Sequence, residues 1–157
     1  MPRGLVSSPR SIRIGERTVR GNSLQGLIED GQSVKILFGY YNYYPVNVGD
    51  VVIYKFAGNK APIIKIVKAK EGDKFHLEEA EGGWHILVNN KIVRNSCNQP
   101  YLLDQSAYRM LSLYEKDYQG IIPPNAYLLL GNLVGGSSDS TRFGLVDRSN
   151  ILGKVEY

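Results

Sequence analysis

Two residues of this sequence have the chemical types needed for a nucleophile and its base. Ser23 lies in VRGNSLQGLIEDGQSV (residues 19–34), after a Gly-Asn pair and directly before an apolar residue. A serine hydroxyl attacks a carbonyl efficiently only when a neighbouring group takes its proton. Lys65 is the candidate for that group, because in APIIKIVKAK (residues 61–70) it lies between two apolar pairs, whereas most other lysines lie among polar residues.

The protonation state of Lys65 decides whether it can act as a base. A free lysine has a pKa near 10.4. To lower this pKa by about 2 to 3 units, the protein must destabilise the charged form by about 3 to 4 kcal/mol relative to the neutral form. Burial can supply this cost, since on a strand Lys65 shares a face with Ile63 and Val67. An outward-facing Lys65 is the alternative, and composition alone favours it. Ser23 is accordingly either a nucleophile or a loop serine.

Other catalytic chemistries find little support in the sequence. The two histidines, His76 and His85, fall in separate predicted strands and lack the further ligands of a zinc site. GNSLQ is not the Gly-x-Ser-x-Gly turn of the α/β hydrolases. GNLVGGSSDS (residues 131–140) lacks the Gly-Lys-Ser/Thr of a phosphate-binding loop. We therefore predict no metal and no cofactor.

Length and charge indicate one mildly basic domain. The chain has 157 residues, a formal net charge of +4 and a single cysteine, Cys97, which excludes an internal disulfide. We assign residues 1–17 to a basic N-terminal arm or truncated anchor region, and residues 18–157 to the domain. The arm contains no aromatic residues, so we expect no nucleic acid partner. No apolar run is long enough to span a bilayer, and no secretory signal is visible.

Most of the chain has the pattern of short strands. They are rich in β-branched or aromatic residues and are bounded by turn residues, including Gly58-Asn59, Gly72-Asp73, Gly82-Gly83 and Asn89-Asn90. The predicted strands are 33–38, 51–56, 62–67, 75–79, 84–89, 127–130 and 142–146. A helix is predicted after the N-cap Asp104, and a helical turn over residues 24–29. This pattern predicts an all-β fold of mainly antiparallel sheets or a partly open barrel, with one or two short helices.

A tyrosine-rich segment, FGYYNYYPVNVGD (residues 38–50), is open to two interpretations. Its tyrosines could pack at the edge of a β domain with their hydroxyls in water. They could instead form an interfacial patch that contacts lipid or an extended peptide.

An ordered set of motifs runs from about residue 19 to residue 154. It comprises Gly-x-Ser with an apolar residue (21–24), Gly31, the apolar strand carrying Lys65, Gly72-Asp73 and GNLVGGSSDSTRFG (131–144). This order resembles the catalytic domain of type I signal peptidases, membrane-associated Ser-Lys peptidases that remove signal peptides. The resemblance implies an all-β fold related to that of the self-cleaving SOS-repressor proteases.

The resemblance also implies roles for individual residues. Ser23 corresponds to the nucleophile and Lys65 to the general base. Ser137 corresponds to the serine that orients the lysine, and a loop-capping role is its alternative. Asp139 and Arg142 would be structural residues near the site.

Further positions would contact the substrate by the same resemblance. The backbone N–H groups of Ser23 and Gly21 would form the oxyanion hole. Apolar residues would line shallow pockets for small side chains such as alanine, with core packing as the alternative for each: Val19, Leu24, Ile28, Ile63 and Ile64.

Several positions depart from the family pattern. Gly26 replaces a proline and Leu24 replaces a methionine. Ile66 replaces the arginine that usually follows the lysine, and Asn132 replaces an aspartate. In the family these two residues are expected to form an ion pair. Replacement of both is consistent, since replacement of one alone would leave an unpaired charge. Thr141 replaces the arginine after Asp-Ser, and Arg142 follows one place later.

The sequence thus predicts a serine endopeptidase that cleaves signal peptides from exported precursors. Its partners would be an extended peptide and the membrane surface, on the extracytoplasmic side. Two alternatives remain open at this point. One is a related conjugative-transfer or self-cleaving Ser-Lys peptidase, and the other is a non-catalytic β domain that binds peptide, lipid or nucleic acid.

Overall fold

The structure is a computed structural model, and it describes residues 11–55 and 61–157. Within these ranges ten strands form two sheets in which every pairing is antiparallel. The large sheet contains β1 (Arg13–Thr18), β2 (Ser33–Phe38), β3 (Val51–Tyr54), β4 (Ile63–Ala69), β8 (Ala126–Leu130), β9 (Val146–Asp147) and β10 (Ile151–Glu156). The small sheet contains β5 (Phe75–Ala80), β6 (Gly83–Val88) and β7 (Lys91–Ile92). The helices are α1 (Gln105–Asp117) and α2 (Ser140–Phe143).

The large sheet is open, with the strand order β1-β2-β10-β3-β4-β8-β9. Its two edge strands, β1 and β9, do not pair with each other in the described part of the chain. The expectation of an all-β fold with antiparallel sheets and short helices is confirmed. The site depends most on β4, which lies inside the sheet and carries Lys65.

The central strands of the large sheet are buried on both faces. On one face Val51, Ile53, Ile64 and Ile66 join a cluster with buried residues of the Ser23 loop. On the other face a second cluster includes side chains from β3, β4, β8, β9 and β10. A third cluster lies between the small sheet and α1. Burial on both faces explains why β3 is a continuous apolar run and why β4 is apolar apart from Lys65 and Lys68.

Local turn and capping signals are confirmed in two places. Asp104 caps α1, since its side chain accepts a hydrogen bond from the Ala107 N–H. Asn89 and Asn90 join β6 to β7 with φ values of 51° and 68°, which suits the hairpin turn that asparagine tolerates. The predicted break at Gly58-Asn59 lies outside the described residues.

One predicted strand is wrong, and five others differ by one or two residues at their ends. The segment 142–146 is not a strand, because the Asp139 side chain accepts the Thr141 N–H and starts the helical turn α2. Only Val146 and Asp147 form strand β9. Strand β3 ends at Tyr54, and Phe56 lies outside the described residues. Part of the segment assigned to a basic arm is strand β1, which pairs with β2 from Arg13 onward.

The tyrosine-rich segment packs largely on itself. Tyr40 stacks on Tyr44 and meets Tyr41 edge to face. Tyr41 is buried, and its hydroxyl donates to Asp50 at 2.8 Å. Edge packing therefore accounts for Tyr40 and Tyr41, while Tyr44 stays exposed. Among the described residues no helix is both long and apolar enough to cross a bilayer.

Candidate active site

Ser23 lies in a loop whose ends are tied to the large sheet. The loop is closed by hydrogen bonds from the Val19 N–H to Gln32 and from the Gly31 N–H to Val19, both at 2.8 Å. Leu24 and Ile28 anchor the loop, since both side chains are almost fully buried. The N–H groups of residues 27 and 28 donate to the Leu24 carbonyl, so the predicted helical turn after Ser23 is a single turn.

Lys65 reaches Ser23 from the middle of the large sheet. It pairs with Val52 across β3 and is only 4 % exposed. Its Nζ lies 2.8 Å from Ser23 Oγ, which is a hydrogen-bond distance. The inward placement that composition alone disfavoured is the one observed.

The environment of Lys65 favours its neutral form. Burial lowers the pKa of the Lys65 amine below its ordinary value, and the nearby Asp139 carboxylate raises it in partial opposition. A neutral amine has a free lone pair, so at the same distance it can accept the Ser23 hydroxyl proton. The 2.8 Å distance and the direction of the pKa shift are those expected of a nucleophile and its base.

The lowered pKa of Lys65 predicts how stability depends on pH. In the unfolded chain the lysine pKa returns to about 10.5, so between the two values the unfolded state binds more protons than the folded state. The unfolding free energy should therefore rise with pH across this window. Chemical denaturation at a series of pH values should show this rise, and Lys65→Met should reduce the slope. Lys68, whose pKa is also lowered by burial, should supply the part that remains; an unchanged slope in Lys65→Met would contradict the prediction.

Asp139 organises the segment that faces the dyad. Its carboxylate is completely buried and accepts four hydrogen bonds. Oδ2 accepts the Gly131 N–H and the Ser137 hydroxyl, each at 2.9 Å, and Oδ1 accepts the N–H and the hydroxyl of Thr141 at 2.9 and 2.5 Å. These four donors satisfy the hydrogen-bonding capacity of the buried carboxylate.

Ser137 contacts Asp139, and Arg142 lies at the surface. The Ser137 hydroxyl donates to Asp139, and within residues 11–55 and 61–157 no hydrogen bond joins it to Lys65. The Arg142 side chain is exposed and forms no ion pair with Asp139 in the same ranges. Thr141, which stands where the family has arginine, contributes a hydroxyl to Asp139 instead.

Gly131 and Asn132 hold the backbone of the nucleophile. The Asn132 N–H donates to the Ser23 carbonyl at 2.6 Å. A Cβ on Gly131 would lie 2.6 Å from both the Ser23 carbonyl oxygen and Ser137 Oγ, so only glycine fits between them. These contacts fix the end of β8 against the Ser23 loop.

The Asn132 side chain joins this loop to a third segment. Its Nδ2 donates to the Gln25 carbonyl at 2.8 Å and to Ser96 Oγ at 2.7 Å, and its Oδ1 accepts the Ser96 N–H at 2.9 Å. Asn95 in turn donates to the Asn132 carbonyl. Ser96 and Asn95 were not singled out from the sequence. NSCN predicts a turn, but nothing in it indicates a contact with a residue 36 or 37 positions away.

The two N–H groups assigned to the oxyanion hole differ in availability. The Gly21 N–H donates to Asp30 Oδ1 at 2.8 Å and is therefore occupied. The Ser23 N–H has no acceptor among the described residues, so it is free to bind a developing oxyanion.

A cleft of about 250 Å³ runs past the dyad between the end of β1 and the start of β4. Ser23 and Lys65 lie in it, and Val19, Leu24, Ile63 and Ile64 contribute apolar lining. Ile28, the fifth residue assigned to the pockets, is fully buried in the core beneath the loop and is not part of this lining.

One wall of this cleft is an open strand edge. β8 pairs with β4 only from Ile66 onward. In the described residues, Ile63, Ile64 and Lys65 therefore pair with β3 on one side alone. Unpaired backbone groups of this kind can bind an extended peptide as an additional strand.

Comparison with known proteins relates the chain to signal peptidases. The family model described as "Signal peptidase, peptidase S26" matches residues 3–157. Signal peptidase IB of Staphylococcus aureus (strain COL) is 28 % identical over 151 residues, covering 89 % of this chain and 74 % of that protein. Signal peptidase I of Bacillus caldolyticus is 26 % identical over 156 residues, covering 98 % and 83 %. A crystal structure of an Enterococcus faecalis signal peptidase I aligns with a TM-score of 0.49 and 18 % identity, over 71 % of this chain and 97 % of that one.

The class of protein follows from these findings. The chain is a serine peptidase, and therefore a hydrolase. It belongs to the S26 signal peptidase family, whose model matches it over almost its full length. It is a serine endopeptidase that cleaves signal peptides, as the sequence analysis predicted.

Proposed function

We propose that Ser23 is the nucleophile of this peptidase and that Lys65 is its general base. The observation that carries the proposal is the 2.8 Å contact between Lys65 Nζ and Ser23 Oγ, made by an amine that is 4 % exposed. A charged ammonium would have no lone pair for the serine proton. Burial of the amine and proximity to the hydroxyl are therefore both required, and β4 and the Ser23 loop supply them together.

The reaction proceeds through an acyl-enzyme. The Ser23 hydroxyl proton moves to Lys65 Nζ as Oγ bonds to the scissile carbonyl carbon, and the Ser23 N–H binds the resulting oxyanion. The Lys65 ammonium then gives this proton to the leaving amine as the C–N bond breaks. Neutral Lys65 next takes a proton from water, whose oxygen attacks the ester, and returns it to Ser23 Oγ as the ester bond breaks.

The substrate lies extended in the cleft. The open edge at residues 63–65 offers backbone hydrogen bonds that hold any sequence in an extended form. The apolar side chains of Val19, Leu24, Ile63 and Ile64 line the cleft beside Ser23. Small side chains such as alanine, next to the scissile bond, suit such a cleft.

The same proposal places the domain at the membrane surface on the extracytoplasmic side. A signal peptide has an apolar central region followed by small residues at the cleavage site. An enzyme that cuts there must meet the scissile bond beside the membrane in which the apolar region inserts.

A purified precursor carrying a signal peptide tests the proposed function. Incubated with the protein in detergent, it should be cut at a single bond that follows a small residue, as mapped by mass spectrometry. The same precursor with phenylalanine at that position should remain intact, because the proposed pockets accept only small side chains. Cuts at many bonds, or equal cleavage of both precursors, would contradict the proposal.

A further inference from the structure

Two arginines at the rim of the cleft have no role in the chemistry proposed above. Arg17 lies near the end of β1 and Arg20 just after it, and both line the cleft that contains Ser23 and Lys65. Arg17 is half-buried and Arg20 is exposed. Within residues 11–55 and 61–157, neither side chain forms an ion pair or a hydrogen bond. Their guanidinium groups are therefore available to a ligand.

The charge along this cleft has one sign. None of its described lining residues is acidic. The two acidic residues of the adjoining loop are already occupied, because Glu29 accepts the Gly26 N–H and Asp30 accepts the Gly21 N–H, each at 2.8 Å. Within the described residues neither arginine forms an ion pair that would offset its charge, and a narrow cleft with apolar walls concentrates a positive potential.

We propose that Arg17 and Arg20 bind an acidic side chain of the substrate, a few residues from the scissile bond. This specificity rests on the proposed function, since it requires a peptide in the cleft. A guanidinium binds a carboxylate through paired, charge-assisted hydrogen bonds. The two arginines flank Val19 on the wall along which an extended peptide advances about 3.3 Å per residue, so one peptide position can reach one or both of them.

A peptide carboxylate fits this position better than a lipid phosphate does. The arginines line the same cleft as the nucleophile, so a group bound to them lies within reach of the chain being cut. A headgroup would have to enter that cleft and would compete with the substrate.

The test is a set of otherwise identical signal-peptide substrates that carry aspartate or asparagine at successive positions around the cleavage site. At one position, wild type should cleave the aspartate peptide with a kcat/KM about fivefold higher than the asparagine peptide, and salt should reduce this ratio. Arg17→Gln with Arg20→Gln should bring the ratio to about one. Arg109→Gln, on the exposed surface of α1, is the control for net charge and should keep the wild-type ratio. Arg17→Glu should favour lysine at that position.

The outcomes separate the specificity from the activity. A ratio of one at every position, with cleavage intact, would overturn the acidic specificity and leave the peptidase function standing. Failure to cut any peptide would overturn both. A ratio of one in wild type, together with weaker sedimentation of Arg17→Gln on phosphatidylglycerol vesicles, would assign the arginines to lipid instead.

Discussion

Ser23→Ala and Lys65→Met are each expected to lower kcat for signal-peptide cleavage by about 10³-fold or more. Without the hydroxyl no ester can form, and without the amine the serine proton has no acceptor within hydrogen-bond distance. The two residues act as one unit, so the double variant should be no slower than either single variant. Single-turnover kinetics with excess enzyme measures this directly.

Stability separates a catalytic role for Lys65 from a structural one. Methionine has a similar length and no charge, so Lys65→Met removes the cost of burying an amine that is 4 % exposed. The melting temperature should therefore stay the same or rise while activity is lost. A variant that lost activity only by unfolding would show the opposite change in melting temperature.

The matched control lies three residues further along the same strand. Lys68 is also partly buried and has a lowered pKa, but its Nζ donates to the Arg94 carbonyl. Lys68→Met should leave kcat close to the wild-type value. If Lys68→Met abolished activity while Lys65→Met retained it, the assignment of the base would be wrong.

Asp139→Ala is expected to lower the free energy of unfolding by about 3 kcal/mol or more. The substitution leaves the buried N–H groups of Gly131 and Thr141 and two hydroxyls without their acceptor. Removal of a buried acceptor costs the desolvation of each donor left behind. Equilibrium denaturation in urea measures the difference.

Asp147 provides a control with the same local motif at the surface. Its side chain accepts the N–H and hydroxyl of Ser149, two residues later, as Asp139 does with Thr141. It is exposed, so water can replace the lost acceptor. Asp147→Ala should change stability far less than Asp139→Ala, and equal losses would show that burial is not the cause.

Asp139→Asn gives a readout that a purely structural role would not produce. The Asp139 charge raises the pKa of Lys65, against the larger effect of burial. Loss of that charge should lower the Lys65 pKa further. Since neutral Lys65 is the base, the acidic limb of the kcat/KM profile should move to lower pH in the folded variant. A shift to higher pH would contradict the proposed electrostatic coupling.

Three departures from the family pattern fit together in the structure. Ile66 packs in the apolar cluster beneath the Ser23 loop, where an unpaired arginine would be costly. Asn132 makes neutral hydrogen bonds to Gln25 and Ser96 in place of an ion pair. Thr141 supplies a hydroxyl to Asp139. At these three positions apolar packing and hydrogen bonds stand where the family pattern has charged residues.

The sequence by itself determined the all-β class, several strands to within a residue or two, and the candidate pair. Strands such as β2 and β5 alternate or are rich in β-branched and aromatic residues between turn residues, and these are local signals. Lys65 was distinguishable because an apolar strand surrounds it, and Ser23 because it fits an ordered set of motifs. The strand predicted over 142–146 is wrong because Asp139 acts as a helix N-cap, and its capping outweighs the strand propensity of the residues that follow.

The tertiary structure alone decided whether Lys65 and Ser23 form a pair. They are 42 residues apart, and only the folded chain brings the Ser23 hydroxyl within reach of the Lys65 amine. The hydrogen bonds of Asn132 to the Ser23 loop and to Ser96 are equally non-local. Strand and turn signals act over a few residues, whereas burial and hydrogen-bond partners are set by segments that meet only after the sheet has formed.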